Sequence, residues 1–168
     1  MARFGRALQD LGVPVLYLGD LFERSEIRDL LSLVSLGSDR GGVGLVRVAQ
    51  FPQYGVSRSD AVALLRHARE TGQEVIAACA KADEVPGLGE ASAEGLKLLA
   101  RHLAGMEWNT SAWHLLSHYL LESSDYLRPM LEVGDVRSQQ RLVAIYQLLK
   151  FCREHYDANR SVAGRRKL

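Results

Sequence analysis

Ser57-Arg58-Ser59-Asp60-Ala61-Val62-Ala63-Leu64-Leu65-Arg66-His67-Ala68-Arg69-Glu70-Thr71-Gly72 reads as one complete helix with both ends marked. Ser57 offers a side-chain oxygen to the first orphaned backbone N–H groups. Ala61, Leu64, Leu65 and Ala68 recur at spacings of three and four, the stripe of a helix with one buried face. Gly72 tolerates the left-handed conformation that stops a helix. Most of the chain follows the same grammar. A helix is predicted from Asp20 to Leu36, with Asp20 and Glu23 at capping-box spacing and Ile27, Leu30, Leu31 and Val34 inward. A short one is predicted from Val43 to Phe51, ended by Pro52, and another from Glu74 to Ala82.

Asp83 to Glu90 carries Pro86, Gly87 and Gly89 and is the clearest internal break. Beyond it, Leu96, Leu99, Leu103 and Met106 mark a long helix. Thr110 is placed to cap a helix with Trp113, Leu116 and Leu120 on its stripe. A short helix follows near Tyr126 to Glu132, and the last runs from Ser138 to Tyr156 with Leu142, Ile145, Leu149 and Cys152 inward. Trp108 and Trp113 read as core residues. Near the N-terminus, residues 2–11 suggest a helix stopped by Gly12. Val13-Pro14-Val15-Leu16-Tyr17-Leu18 is the single good strand candidate. A lone strand needs a sheet from elsewhere, which suggests a fragment of a larger protein. No repeat of fixed period is evident. The expected fold is mostly α, an irregular multi-helix domain with one short N-terminal β-strand.

The formal net charge of +1 and the 47% hydrophobic content of the 168 residues exclude a strongly basic nucleic-acid coat and a disordered chain. Cys79 and Cys152 have no metal or redox spacing and read as reduced core thiols of a cytoplasmic protein. No apolar run is long enough for a membrane span, and the N-terminus lacks the apolar stretch of a signal peptide. Arg165-Arg166-Lys167 reads as a frayed basic end. Gly41-Gly42-Val43-Gly44 lacks the lysine of a phosphate loop, and no nucleophile elbow is present. His114, His118 and Glu122 fall on one helical face at a spacing that can bind zinc, but that face lies opposite the apolar stripe and reads as solvated. Together these favour binding or structure over catalysis.

Two segments resemble UvrD/Rep-like superfamily 1 DNA helicases. Gly12-Val13-Pro14-Val15 followed by Gly19-Asp20-Leu21-Phe22-Glu23-Arg24-Ser25-Glu26-Ile27-Arg28-Asp29-Leu30-Leu31 is similar to the family's G-I-P-Y-like strand and E-R-x-E-[IV]-[RK]-D helix. Leu45-Val46-Arg47-Val48-Ala49-Gln50-Phe51-Pro52-Gln53-Tyr54-Gly55-Val56-Ser57 looks like its helix with an arginine, then P-x-x-G-[IV]-G. The two occur in the family's order over residues 12–72; the rest matches only in being helical. The family turn commonly ends in glycine, where this chain has Ser57.

The resemblance implies that residues 1–19 are the edge of the second RecA-like subdomain (2A), residues 20–160 a helical 2B-like subdomain, and residues 161–168 a basic tail. It implies an accessory, regulatory duplex-DNA-binding part of an ATP-dependent 3′–5′ helicase, inactive alone. ATP and Mg²⁺ would be bound by the parent and not by this fragment. Its partners would be duplex DNA and the remaining helicase subdomains, with no membrane. Candidate phosphate-binding residues are Gly55, Val56, Ser57, Arg58, Arg66 and Arg69, because a glycine turn feeding a helix N-terminus suits phosphate and the three arginines share an arc of ~80°. Two other readings stay open: a helical protein-interaction module, and an independent helix-hairpin-helix DNA-binding protein.

Overall fold

In the computed structural model, residues 21–107 and 109–165 are described, with side chains to residue 156. They form eight α-helices: α1 Ser25–Ser38, α2 Leu45–Val48, α3 Arg58–Thr71, α4 Val75–Ala80, α5 Glu90–His102, α6 Ala112–His118, α7 Arg128–Val133 and α8 Val136–Arg165. A 3₁₀ turn covers Ala82–Glu84, and a π-turn, Tyr119–Ser123, continues α6. The described residues contain no strand, so the fold is mostly α. The strand expected at residues 13–18 lies outside them.

The chain divides into two compact units. One comprises Asp29–Tyr126; the other comprises Met1–Arg28 with Leu127–Leu168. In the Asp29–Tyr126 unit, α3 has the expected bounds. Ser57 Oγ accepts the Asp60 N–H at 3.1 Å, and Gly72 closes the helix at φ 67°. Its Ala61, Leu64 and Ala68 are buried, while Leu65 is half-buried. α4 packs against both α3 and α5. Their buried faces are Val75, Ala78 and Cys79 on α4, and Ala93, Leu96 and Leu99 on α5. Leu30, Leu33 and Leu36 of α1 and Leu115 and Leu116 of α6 are buried as well. Each leucine so buried contributes about 1.5–3 kcal/mol from apolar area removed from water. Burial pushes the Cys79 thiol up to about 12, so it stays a neutral core group.

The other unit holds α7 and α8 in contact. Asp135 caps α8 by accepting the Ser138 N–H at 2.7 Å. That bond holds the Asp135 carboxyl below its ordinary range. Phe22 meets Phe151 edge-on at 6.2 Å, and Arg24 pairs with Glu26 at 2.5 Å.

Several boundaries differ from the sequence reading. α1 begins at Ser25, because residues 22–24 form a turn in which the Arg24 N–H bonds the Leu21 carbonyl at 3.3 Å. α2 is only one turn long. Its continuation is tightened into a hairpin in which Tyr54 and Gly55 both donate to the Phe51 carbonyl. α5 ends at His102, so Met106 lies beyond its stripe. Ser111, and not Thr110, caps α6. On α8 the buried apolar residues among those described are Ala144, Ile145 and Leu148, with Leu142, Leu149 and Cys152 at its half-buried margin. None of the described helices is long and apolar enough to cross a membrane.

Candidate nucleic-acid interface

The residues singled out for phosphate binding come together on the Asp29–Tyr126 unit. Pro52 follows Phe51, and the chain reverses through Gln53 and Tyr54. The Val56 N–H then bonds back to the Ala49 carbonyl at 3.0 Å and closes the hairpin. Gly55 sits at the turn with φ 60°, a conformation L side chains rarely adopt. A Cβ built there would have nothing within 4 Å, so the backbone is open to close approach. Val56 points the other way and is 2% exposed. It anchors the turn and does not reach a ligand. Ser57 then caps α3.

Three consecutive N–H groups, those of Ser57, Arg58 and Ser59, have no protein acceptor among the described residues. They carry the partial positive charge of a helix N-terminus. The Ser57 hydroxyl is less free than its position suggests. Its oxygen takes the Asp60 N–H and lies 2.8 Å from Ser59 Oγ, so one outward O–H is shared by the serine pair. Arg58, Arg66 and Arg69 are all exposed, and none has a carboxylate within ion-pair distance among the described residues. They span 11 positions, or ~17 Å along the helix.

Arg47, also part of the family-like segment, is placed differently. It is bound to Asp29 at 2.6 Å and ties α2 to α1. A groove of about 760 Å³ opens beside the hairpin, with Arg47, Gln50, Pro52 and Arg58 among its walls.

What holds the hairpin was not read from the sequence. Tyr54, 4% exposed, places its hydroxyl 2.8 Å from His102 Nδ1 on α5 and 2.9 Å from the hydroxyl of Tyr119. Gln53 Nε2 donates to the Tyr119 hydroxyl at 2.9 Å. Burial pushes both phenols up, Tyr54 further because Tyr119 is close, so each keeps its proton. Gln53 can only donate to Tyr119, and all three bonds are satisfied together when Tyr119 donates to Tyr54 and Tyr54 donates to a neutral His102 Nδ1. Gly95 lets α5 lie against the turn. A Cβ there would stand 2.1 Å from the Tyr54 carbonyl oxygen. A tyrosine inside a proline turn and a glycine amid an otherwise good helix were the available signals. Both depend on partners about 40 or more positions away.

His102 is held below its ordinary 6.5 by burial and by Arg101, with Asp125 opposing. Protonation would take the acceptor away from Tyr54. A depressed folded-state pKa gives stability that is present above the unfolded value and lost as pH falls through the folded one. The midpoint of urea unfolding should therefore fall between pH 7 and pH 5 more steeply for the parent chain than for His102→Asn. Equal falls would mean that His102 does not carry this dependence.

The zinc-spaced face is occupied by local bonds. His114 Nδ1 lies 2.9 Å from Ser111 Oγ, and His118 Nδ1 lies 2.9 Å from Glu122.

No family model, curated protein or solved structure matches this chain.

Proposed function

We propose that this chain is a duplex-DNA-binding accessory domain, similar to the 2B subdomain of a UvrD/Rep-like helicase and without motor activity of its own. The observation that carries the reading is the Phe51–Ser57 hairpin. An open left-handed glycine leads into a capped helix with three N–H groups that have no acceptor among the described residues, and the exposed face beyond it bears three arginines with no carboxylate partner among them. Backbone donors and arginines of this kind grip phosphate oxygens without reading bases. Few phosphates are contacted and the net charge is only +1, so binding should be weak, indifferent to sequence and steeply reduced by salt.

Fluorescence anisotropy with a labelled duplex tests this. Gly55→Asp sets a carboxylate and a strained left-handed side chain where the backbone would meet a phosphate. Arg58→Glu reverses a charge on the exposed first turn. Each should weaken binding at low salt by ~10-fold, on the scale of a lost charged contact, with the helical circular dichroism unchanged. If both variants bind like the parent chain, the hairpin is only a connection. If the parent shows no salt-dependent binding, a protein-interaction module becomes the better account. The independent helix-hairpin-helix reading is favoured by the same hairpin. It separates from the helicase reading by whether a phosphate loop is encoded upstream in the same open reading frame.

A further inference from the structure

Thirty-two positions after Gly55-Val56-Ser57 the chain reads Gly87-Leu88-Gly89, and the backbone repeats with it. Gly55 has φ 60° and Gly87 φ 79°. Ser57 has φ −66°, ψ 153°; Gly89 has φ −69°, ψ 144°. Each is the N-cap of a helix, α3 or α5. The buried residues also fall in register, with Ala61 matching Ala93, Leu64 matching Leu96 and Ala68 matching Ala100. A short helical segment precedes each turn, α2 in one case and Ala82–Glu84 in the other. The two hairpins even touch through like positions, since Ser92 donates to Asp60 at 2.5 Å and these residues correspond. The sequence reading found no repeat of fixed period; the structure corrects this. The repeat is hidden because backbone conformation and small apolar contacts are kept while most polar residues are not, Arg69 and Arg101 being the exception.

The differences are in charge. Arg58 corresponds to Glu90, Val62 to Glu94 and Arg66 to Leu98, while Asp83 and Glu84 lie just before the second turn. Lys97 is held by Asp83 at 2.9 Å and by Glu94, and the exposed Lys81 is the one other lysine near that turn in sequence. Glu84 and Glu90 have no cation within ion-pair distance among the described residues. The second helix N-terminus lacks even a side-chain cap. Its donors are as open as those of the first, and its surroundings have the opposite sign.

We propose that the duplicated hairpins are electrostatically unequal by function. The first holds a phosphate of the duplex, and the acidic second turns the backbone away, so the unit grips one strand from one side. This rests on the duplex-binding reading above. Each helix has one carboxylate in its first turn. Asp60 of α3 is held by Ser92 and followed by exposed arginines, while Glu90 of α5 stands where α3 has Arg58 and weakens the attraction of that helix end for an anion. Asp83, Glu84, Glu90 and Glu94 outnumber Lys81 and Lys97 around that turn and leave it net acidic, a charge that repels a phosphate over a Debye length of ~8 Å at physiological salt.

The test uses the whole chain and a labelled duplex. Glu90→Lys together with Glu84→Lys should raise low-salt affinity by ~10-fold and steepen the dependence of log K on log salt by ~1, the signature of an added phosphate contact. Glu132→Lys together with Glu122→Lys, remote from the second turn in sequence, makes the same change in net charge and controls for it. In the parent chain, amide NMR shifts of residues 57–59 should move on adding duplex while those of residues 89–92 stay still. If the Glu84/Glu90 variant gains no more than the control, or if residues 89–92 shift with the first hairpin, the one-sided grip is overturned. The duplex-binding reading survives that outcome as long as Arg58→Glu still weakens binding. If no variant and no parent chain binds duplex, the duplex-binding reading fails and the one-sided grip falls with it.

Discussion

Gly95→Ala should destabilise the protein, although alanine is the best helix former and glycine among the worst. On an exposed helix this change adds about 1 kcal/mol of stability. Here the new methyl would stand 2.1 Å from the Tyr54 carbonyl oxygen and 3.0 Å from its carbon, both backbone atoms that cannot rotate aside. Over-packing of this kind costs about 3 kcal/mol, so a net loss of about 2 kcal/mol is expected from urea unfolding. Because α5 must then lift from the hairpin, duplex affinity should fall as well. Unchanged or increased stability would show that the hairpin can move away freely. The Tyr54 network would then not fix it.

Tyr119→Ala should cost more. Tyr119 is fully buried and is among the largest wholly enclosed side chains of the molecule. Removing a ring of this size costs about 3–5 kcal/mol through lost burial and a residual cavity. Tyr119→Phe keeps the ring and removes only the hydroxyl, which stands between Gln53 and Tyr54. Leaving those partners short of a bond should cost about 1–3 kcal/mol. Chemical denaturation of both variants separates packing from hydrogen bonding. If Tyr119→Phe matches the parent, the hydroxyl chain adds nothing and the tyrosine serves only as filler.

How far the sequence could be read depended on whether the cause was local. α3 was legible to the residue, because its cap, its stripe and its stop are all written within sixteen consecutive positions. The start of α1 was not, since Asp20 and Glu23 have capping spacing while the helix begins after a turn at Arg24. The stripe of α6 was read through Trp113, Leu116 and Leu120, whereas the buried face is Leu115, Leu116, Tyr119 and Leu120, with Trp113 half-buried. Tyr119 follows Leu115 by four positions and Leu116 by three, so only a stripe anchored on Leu115 leads to it. Gly55, Arg58, Arg66 and Arg69 could be grouped from spacing alone. The network that steadies them joins Gln53, Tyr54, His102 and Tyr119, and only folding brings those four together. The second hairpin was seen as a break, because Asp83, Glu84 and Glu90 mask its likeness to the first.

The bond between Asp60 and Ser92 also shows why the two halves cannot be identical at that place. The residues correspond, so aspartate at both would set two carboxylates against each other across the contact. With serine on one side, a hydroxyl donor answers a carboxylate acceptor. The difference at that one pair joins the halves, while the outer face of each can differ without disturbing the bond.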